Sequence, residues 1–206
     1  MTKTEEQTVF VVDDDAAVRD SIAELLESVG LQAEGYASAL AFLEAFQPER
    51  PGCLVLDVRM AEMGGLVLQQ RLNELGARIP VIVLTAHGDV TMAVQAMKAG
   101  AVDFLQKPYR DQALLDSINA ALSMETAARR SSATADHFHQ RLATLTERER
   151  EVLDHVMVGK TSKEIARALA ISPRTAEVHR RNLLRKFGVD SARALMCMSA
   201  FSSEGE

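Results

Sequence analysis

Four short apolar runs in the first half of the chain each lead into polar residues that could do chemistry. The runs cover residues 9–12, 53–56, 81–84 and 102–105. The polar residues that follow them are Asp13, Asp14, Asp15, Asp57, Thr85 and Lys107. If the runs are strands of one parallel sheet, we expect these side chains to converge on one point, because ligands bind at the carboxyl ends of such strands.

Such a cluster suits a divalent cation together with a phosphoryl group. Carboxylates that lie a few ångströms apart repel each other unless a cation neutralises them. Mg²⁺ prefers hard oxygen ligands, so Asp13, Asp14 and Asp57 could hold it. A carboxylate can also act as a nucleophile and form an acyl phosphate, whose oxygens Thr85 and Lys107 would contact. One aspartate at a strand end is usually a helix cap, but capping alone does not explain the whole ordered set.

The segments between these runs have helical spacing, so the first half alternates strand and helix. Apolar residues recur at helical spacing after the first run, and Gly30 ends that helix. A second strand is predicted near residues 31–36. Further helices are predicted near residues 38–46, 66–75, 89–99 and 109–122. Five strand–helix units predict an α/β doubly wound, flavodoxin-like sheet, whose strand order places Asp13, Asp14 and Asp57 side by side.

Length and composition fit a globular protein of two modest domains with opposite charges. The chain has 206 residues, of which 47% are hydrophobic and 25% charged, and these values are ordinary for globular proteins. Residues 1–122 contain 9 Lys and Arg against 18 Asp and Glu, whereas the remainder contains 14 against 11. The net charge of −6 therefore hides a basic second half, which is the candidate for contact with a polyanion.

The sequence also predicts a cytoplasmic protein that has no contact with a membrane. No apolar stretch approaches the roughly 18–20 residues needed to span a bilayer, and the polar N-terminus does not resemble a secretory signal. Cys53 and Cys197 lie far apart in apolar segments, so we expect two buried thiols in a reducing compartment. Any signal would then arrive from another protein or from a diffusible phosphodonor.

The second half is predicted to be all-helical after a linker. Residues 123–143 contain no Gly or Pro, and we expect a partly helical linker there. The signals for helix starts in residues 144–206 are a capping box at Thr146, a cap at Thr161 or Ser162, Ser172 followed by Pro173, and a position near Ser191. Gly188 would end the third of these helices, and the short turn before that helix fits a helix-turn-helix.

The third helix of this half carries a surplus of cations, which indicates contact with DNA. Residues 174–186 contain five Lys and Arg against one acid, and a recognition helix enters the major groove with its N-terminal residues nearest the bases. The predicted contacts on it are Arg174, Thr175, Glu177, His179 and Arg180. Phosphate contacts are predicted at the start of the preceding helix, at Lys160, Thr161, Ser162 and Lys163. The expected buried face comprises Ala176, Val178, Leu183, Leu184 and Phe187.

Both halves resemble one family, the two-component response regulators of the NarL/FixJ class. The matching motifs of the first half are Val11-Val12-Asp13-Asp14-Asp15, Leu56-Asp57-Val58-Arg59-Met60, Leu84-Thr85-Ala86-His87-Gly88 and residues 101–108. Residues 145–149, 159–166 and 171–180 are similar to a LuxR-type helix-turn-helix. The resemblance implies a receiver domain at residues 1–122, a linker at residues 123–143 and a DNA-binding domain at residues 144–206.

The resemblance also implies a role for each clustered side chain. By this resemblance Asp57 is the phosphoacceptor, and Mg²⁺ or Mn²⁺ is bound by Asp13, Asp14, Asp57 and the backbone carbonyl of Arg59. Thr85 and Lys107 sense the phosphoryl group, and Phe104 is the switch aromatic. His87, which follows Thr85 by two residues, is expected in a loop near the phosphoryl group. The family usually has proline at Ala61 and a residue other than glycine at Gly64, so this loop should be less stiff than usual.

The implied function is a phosphorylation-gated transcription regulator that is not an enzyme beyond its own phosphoryl transfer and hydrolysis. A sensor histidine kinase would phosphorylate Asp57, and the receivers would then pair through the face of residues 89–122, where Val94 and Lys98 are expected to be exposed. The homodimer would bind double-stranded promoter DNA and act on RNA polymerase.

Two alternatives remain open from the residues. Asp13 and Asp15 have the spacing of a phosphatase of the haloacid dehalogenase class, but that interpretation leaves Asp57 and the second half without a role. A receiver that dimerises without phosphorylation is the other alternative, and the complete set of acidic, hydroxyl and cationic residues argues against it.

Overall fold

The computed structural model describes residues 7–86 and 90–200 of the chain. The chain divides into two compact units, Met1–Ala127 and Ala128–Glu206. His87 and the predicted helix start at Asp89 lie outside the described residues. Among the helices of the described part, none is both long and apolar enough to cross a membrane.

A five-stranded parallel sheet forms the centre of the first unit. The strands are β1 Thr8–Val12, β2 Gln32–Tyr36, β3 Gly52–Asp57, β4 Val81–Thr85 and β5 Asp103–Gln106. Their order in the sheet is β2-β1-β3-β4-β5, and all neighbouring pairs are parallel. The predicted flavodoxin-like architecture is therefore confirmed. Every residue of β1, β3 and β4 is buried, as expected for strands with helices on both faces.

Helices cover the two faces of this sheet. They are α1 Ala16–Ser28, α2 Ala39–Ala45, α3 Gly65–Glu74, α4 Val90–Lys98 and α5, which begins at Asp111. On one face α2, α3 and α4 bury Phe42, Leu72 and Ala96, and on the other α1 and α5 bury Leu26 and Leu114. Successive residues of β1 enter the two clusters alternately, because side chains alternate between the faces of a strand.

α5 continues through the segment that is predicted to be a partly helical linker. It runs from Asp111 to Ala143 without a break, whereas a helix end near Leu122 is predicted from the sequence. No Gly or Pro interrupts residues 123–143, and these two residues are the most costly in a helix interior. Nothing in the segment therefore stops the helix.

The described part of the second unit contains four further helices beyond α5. They are α6 Glu147–Met157, α7 Ser162–Ala168, α8 Pro173–Phe187 and α9 Ala192–Ala200. Thr146 and Thr161 form capping boxes and Ser172 caps α8, so the cap of α7 is Thr161 and not Ser162. Gly188 ends α8 with a φ of 68°, a left-handed conformation that glycine adopts at little cost.

A partly buried ion pair joins the start of α6 to the end of α8. Glu149 accepts hydrogen bonds from Thr146 N–H at 2.9 Å and from Lys186 Nζ at 2.6 Å. Lys186 Nζ also donates to the Thr144 carbonyl at 2.9 Å. Burial acts to raise the pKa of Glu149, but the Lys186 and Thr146 donors outweigh it and hold that pKa below its usual value. Lys186 therefore has a structural role in the second unit.

The two cysteines differ in environment. Cys53 is buried in β3, but Cys197 is exposed on α9, so the prediction of a buried thiol is wrong for Cys197. Leu195 of α9 is completely buried. Cys197 lies two positions further along the helix and faces a different side of it. Apolar neighbours in the sequence therefore do not guarantee burial on a surface helix.

Candidate functional site

Asp13 and Asp57 meet at the carboxyl edge of the sheet, where the ammonium of Lys107 joins them. β1 and β3 are in register up to Val12 and Leu56, so the next residue along each segment is an aspartate. Lys107 Nζ donates to Asp13 Oδ2 at 2.6 Å and to Asp57 Oδ1 at 2.7 Å. Only 2% of Asp13 and 6% of Asp57 is exposed. Three of the side chains predicted to form one site therefore lie in direct contact.

Backbone amides orient both carboxylates. Asp57 Oδ2 accepts from the N–H of Arg59 at 2.7 Å, and Asp13 Oδ1 accepts from the N–H of Asp15 at 2.9 Å. Arg19 Nη1 donates to the backbone carbonyl of Asp13 at 2.7 Å. Each carboxylate thus has one oxygen on a backbone amide and the other on the shared ammonium.

β4 and β5 position the remaining members of the cluster. Thr85 ends β4 and is completely buried. Its backbone carbonyl accepts from the N–H of Lys107 at 2.7 Å, and the peptide bond between Lys107 and Pro108 is cis. Phe104 pairs with Val83 in the β4–β5 ladder and lies half-buried against the core on the α2–α4 side of the sheet.

The environment changes the pKa values of the cluster. Burial raises the pKa of Asp57 above its ordinary value, and the Lys107 ammonium offsets only part of this effect. Burial acts to lower the pKa of Lys107, but its bonds to Asp13 and Asp57 outweigh burial and raise that pKa. Lys107 therefore stays charged at neutral pH, and Asp57 is more basic than an exposed aspartate.

Asp14 and Arg59 lie at the exposed rim of the cluster. Asp14 lines a cavity of ≈ 190 Å³ together with residues of the loop after β3, among them Met60 and Ala61. Within the described residues, no three His, Cys, Asp or Glu side chains are grouped closely enough to hold a metal ion. The donors nevertheless have the chemistry that Mg²⁺ prefers, because carboxylate and backbone carbonyl oxygens are hard ligands.

Gly65 allows α3 to begin directly against the end of β3. Its N–H donates to the Val58 carbonyl at 2.9 Å. A Cβ atom on Gly65 would lie 2.1 Å from the backbone oxygen of Asp57, whereas a Cβ on Gly64 would lie 3.2 Å from the oxygen of Val58. The absence of a side chain at Gly65 therefore preserves the position of the residue that is predicted to accept the phosphoryl group.

α4 presents apolar surface beside the cluster. Val90, Val94 and Met97 are 82%, 45% and 48% exposed, and Lys98 is also exposed. Ala96 is the single buried residue of this helix. The predicted dimer-face residues Val94 and Lys98 therefore lie at the surface, on a helix that follows β4.

In the second unit, an exposed ridge runs along α8. The buried residues of the helix are Ala176, Leu183 and Phe187. Val178 is 45% exposed, so its prediction as a buried residue is wrong: two positions along a helix correspond to about 200° of rotation from Ala176. Arg174, Arg181 and Arg185 lie four, three and seven positions from Val178 and therefore share its side of the helix. The spacing of the buried residues along α8 could have shown from the sequence that Val178, Arg181 and Arg185 lie on the exposed side of the helix.

Two other cations of α8 are bound within the protein. Arg180 Nη1 donates to the Lys160 carbonyl at 3.2 Å, and Lys186 belongs to the ion pair with Glu149. Lys160 Nζ in turn lies 3.2 Å from His155 Nδ1. The cationic surplus read from the sequence is thus divided between structural contacts and the exposed ridge.

The remaining predicted DNA contacts lie around the same helix. Of the predicted set, Thr161, Lys163, Arg174, Thr175 and Glu177 are exposed, and Lys160, Ser162, His179 and Arg180 are partly buried. A groove of ≈ 660 Å³ beside α8 is lined by Ser162, Glu177, Arg180, Arg181 and Arg185, among others. This groove therefore joins the start of α7 to the cationic side of α8.

Comparison with known families gives one match for each half of the chain. Residues 9–119 match the family described as "Response regulator receiver domain". Residues 143–199 match the family described as "Bacterial regulatory proteins, luxR family". The order of the two matches agrees with the order of the two units.

Individual proteins are similar over nearly the whole chain. The transcriptional regulatory protein TdiR of Thauera aromatica is 49% identical over 92% of this chain and 83% of its own length. The transcriptional regulatory protein FixJ of Rhizobium meliloti (strain 1021) is 47% identical over 93% of this chain and 94% of its own. The solved structure of the response regulator StyR matches with a TM-score of 0.81 and 44% identity, over 95% of this chain and 98% of that one.

The close approach of Gly65 to Asp57 can be tested by adding one methyl group. We expect Gly65→Ala to lower the free energy of unfolding by about 1–3 kcal/mol, because the new Cβ overlaps the strand end and forces the backbone to move. Gly64→Ala is the matched control, and it should lower stability less than Gly65→Ala does, because its Cβ would lie 3.2 Å and not 2.1 Å from the nearest backbone oxygen. Urea unfolding followed by circular dichroism measures both. Equal effects of the two substitutions would contradict the assigned role of Gly65.

Proposed function

The chain belongs to the two-component response regulators that join a receiver domain to a LuxR-type DNA-binding domain, and we propose that phosphorylation of Asp57 controls its binding to DNA. Proteins of this family are transcription regulators. The observation that carries the proposal is the contact of Lys107 with both Asp13 and Asp57 at 2.6 and 2.7 Å. It supports a site where a transferred phosphoryl group meets a nucleophile and a cation.

In the proposed reaction, a carboxylate oxygen of Asp57 attacks the phosphorus of a phosphohistidine on a sensor kinase. The new bond joins that oxygen to phosphorus, the bond from phosphorus to the imidazole nitrogen breaks, and the imidazole leaves with the electron pair. The raised pKa of Asp57 favours this role, since a more basic carboxylate is the stronger nucleophile. Lys107 and the hydroxyl of Thr85 would then contact the phosphoryl oxygens.

A divalent cation, Mg²⁺ or Mn²⁺, is part of the proposal. Its ligands would be the carboxylates of Asp13, Asp14 and Asp57 and the backbone carbonyl of Arg59. When bound, the cation would neutralise charge on the carboxylates and on the incoming phosphoryl oxygens. The backbone amides of Asp15 and Arg59 already hold one oxygen of Asp13 and of Asp57, which leaves the other oxygens to the ammonium and the cation.

The proposed output is a homodimer formed through the surface of α4, β5 and the start of α5. Thr85 lies at the end of β4 and Phe104 in β5, so both connect the site to this surface. Val94 and Lys98 supply exposed apolar and cationic contacts on α4. Pairing of two chains would place two DNA-binding domains on two half-sites of a promoter.

The proposed DNA contact is the exposed ridge of α8 together with the start of α7. Arg174, at the N-terminal end of the helix, would contact bases or position the helix, and Arg181 and Arg185 would contact phosphates. Val178 could contact the methyl group of a thymine, since apolar side chains recognise that group in the major groove. Lys160, Thr161, Ser162 and Lys163, with Thr175, Glu177, His179 and Arg180, complete the proposed interface.

The proposed domain limits are residues 1–122 for the receiver, 123–143 for the linker and 144–206 for DNA binding. The family implies a sensor histidine kinase and promoter DNA as partners, and RNA polymerase is a further proposed partner. A phosphatase and a receiver that needs no phosphorylation are the competing functions. The match of both halves to regulator families disfavours the first, and the oligomeric state with and without beryllofluoride tests the second.

Acetyl phosphate with Mg²⁺ should add one phosphoryl group to the wild-type chain and none to Asp57→Asn. The amide lacks the negative oxygen that attacks phosphorus, so intact-mass analysis should show no increase for that variant. Asp15→Asn is the matched control, because Asp15 caps α1 and has no proposed part in the chemistry. Stoichiometric labelling of Asp57→Asn would assign the phosphoryl group to another acid and favour the phosphatase.

Beryllofluoride with Mg²⁺, which mimics a phosphoryl group, should convert the wild type to a dimer but leave Val94→Asp monomeric. A carboxylate at this position would lose its hydration in an apolar interface. Val67→Asp is the control, because Val67 is 56% exposed on α3, away from the proposed surface. Sedimentation velocity measures the change, and dimerisation of Val94→Asp at wild-type concentrations would show that the surface is wrongly assigned.

Two arginines of α8 should affect DNA affinity in different ways. Arg174→Ala should cost about 1–3 kcal/mol on the specific duplex and relax the preference at one base pair. Arg181→Ala should weaken specific and scrambled duplexes alike and reduce the salt slope by about one. Arg193→Ala removes the same charge from α9 as a control. Titrations at several salt concentrations distinguish these results, and unchanged affinity in both α8 variants would remove this ridge from the interface.

A further inference from the structure

A buried glutamine lies between α3 and α4. Gln69 is only 1% exposed, and its neighbours Leu68 and Leu72 on α3 belong to the apolar core beneath α4. Its Nε2 donates to the backbone carbonyl of Ala96 at 3.2 Å. Burying an amide in apolar surroundings costs free energy unless it is hydrogen-bonded, so this contact is what makes a glutamine tolerable here.

Ala96 is one of the points at which α4 is attached to the core. It is the single buried residue of the helix, and Met92, one turn earlier, is partly buried against the same core, whereas Val90, Val94 and Met97 are largely exposed. The Ala96 carbonyl accepts from Ala101 N–H at 3.0 Å as well as from Gln69. The hydrogen bond from Gln69 therefore holds α4 near its C-terminal end.

A second amide on α3 makes a similar contact. Asn73 Nδ2 donates to the Ala99 carbonyl at 2.8 Å, one helical turn after Gln69. The last carbonyls of a helix have no partner within the helix, so the two amides of α3 satisfy groups at the end of α4. The other end of α4 follows Thr85, which belongs to the proposed site.

The stability of the core does not by itself explain Gln69. Its Oε1 has no hydrogen-bond donor among the described residues of the protein, and the bond to the Ala96 carbonyl, which can only accept, fixes which end of the amide faces α4. A methionine has nearly the same shape and would bury no amide oxygen without a donor, so packing of the core alone would favour methionine. A glutamine is better explained by the directional bond that it makes to one carbonyl of α4.

We propose that Gln69 is a positioning residue for the response to phosphorylation. It holds the C-terminal end of α4 on α3, so that a change near Thr85 turns the helix about Ala96 and presents Val94 and Lys98 in a fixed orientation. This inference rests on the proposed function, because the dimer surface is part of that proposal. It adds Gln69, a residue on α3 that belongs neither to the site nor to the dimer surface. Gln69 would determine how a change at the site alters the dimer surface.

Hydrogen exchange of the full chain, without any phosphoryl mimic, tests the attachment itself. Gln69→Met should speed amide exchange in Val90–Lys98 by about 2- to 10-fold, which is the effect of losing one hydrogen bond. Exchange in β1 and β3 should not change. Gln70→Met is the matched control, because Gln70 is exposed and its side-chain amide donates to Glu74 within α3. Equal exchange of α4 in the two variants would overturn the proposal.

The functional consequence is measured with Mg²⁺ and beryllofluoride. Fluorine NMR should show that Gln69→Met takes up the mimic as the wild type does, while sedimentation gives a dimer dissociation constant about 2- to 10-fold higher than that of Gln70→Met. An unchanged constant, or loss of mimic uptake, would overturn the positioning role. If the wild type itself does not take up the mimic or does not dimerise, the proposed function fails, and the exchange comparison still decides the attachment. Should Gln69→Met not fold, Asn73→Leu removes the companion bond at an exposed position and must increase α4 exchange in the same way.

Discussion

The contact of one ammonium with two buried carboxylates is the constraint on which the first unit depends. Without Lys107, Asp13 and Asp57 would face each other with almost no access to water, and their repulsion would be severe. The contact needs β1 and β3 to be neighbours and in register, and it needs the side chain of Lys107 to reach from the end of β4 to β3 and β1. The strand order, the register of β1 with β3 and the bond of Lys107 N–H to the Thr85 carbonyl satisfy these conditions. The site thus requires the sheet, and the sheet brings together charges that only a cation can make stable.

The same lysine connects the site to the rest of the unit through its backbone. Its N–H donates to the carbonyl of Thr85, so the ammonium and the end of β4 belong to one short hydrogen-bonded path. β5 is anchored at its start as well, where Asp103 accepts from Phe104 N–H at 2.8 Å and from Ser117 Oγ at 2.5 Å. A phosphoryl group that draws the ammonium away from the carboxylates would therefore act on the end of β4 and on the segment after β5, while Asp103 and Ser117 hold the start of β5 to α5.

A feature can be predicted from the sequence when a local pattern determines it, and much less well when a contact between distant segments does. The sheet and the meeting of Asp13, Asp57 and Lys107 are predictable, because apolar runs ending in polar residues report strands and their carboxyl ends. The helical state of residues 123–143 is less evident, since no breaker marks where α5 ends and its last turns are held by the packing of Phe138 and Leu142 in the core of the second unit. Burial on a single helix depends on a rotation of about 100° per residue. A small error in the assumed direction of the buried face therefore predicts burial for an exposed residue such as Val178. The role of Gln69 cannot be predicted from the sequence, because it depends on a hydrogen bond to a backbone carbonyl of another helix.

The cations of α8 show why composition overstates an interface. Five Lys and Arg within residues 174–186 suggest a uniform binding surface, but helical geometry sends them in different directions. Lys186 neutralises Glu149, and Arg180 holds the Lys160 carbonyl, so these two stabilise the arrangement of α6, α7 and α8. Arg174, Arg181 and Arg185 share the side opposite the core and are exposed to a polyanion, although Arg185 also donates to Asn182 on the same helix. Cationic residues supply both the internal contacts and the exposed charge, and the position of each residue around the helix axis decides which of the two it provides.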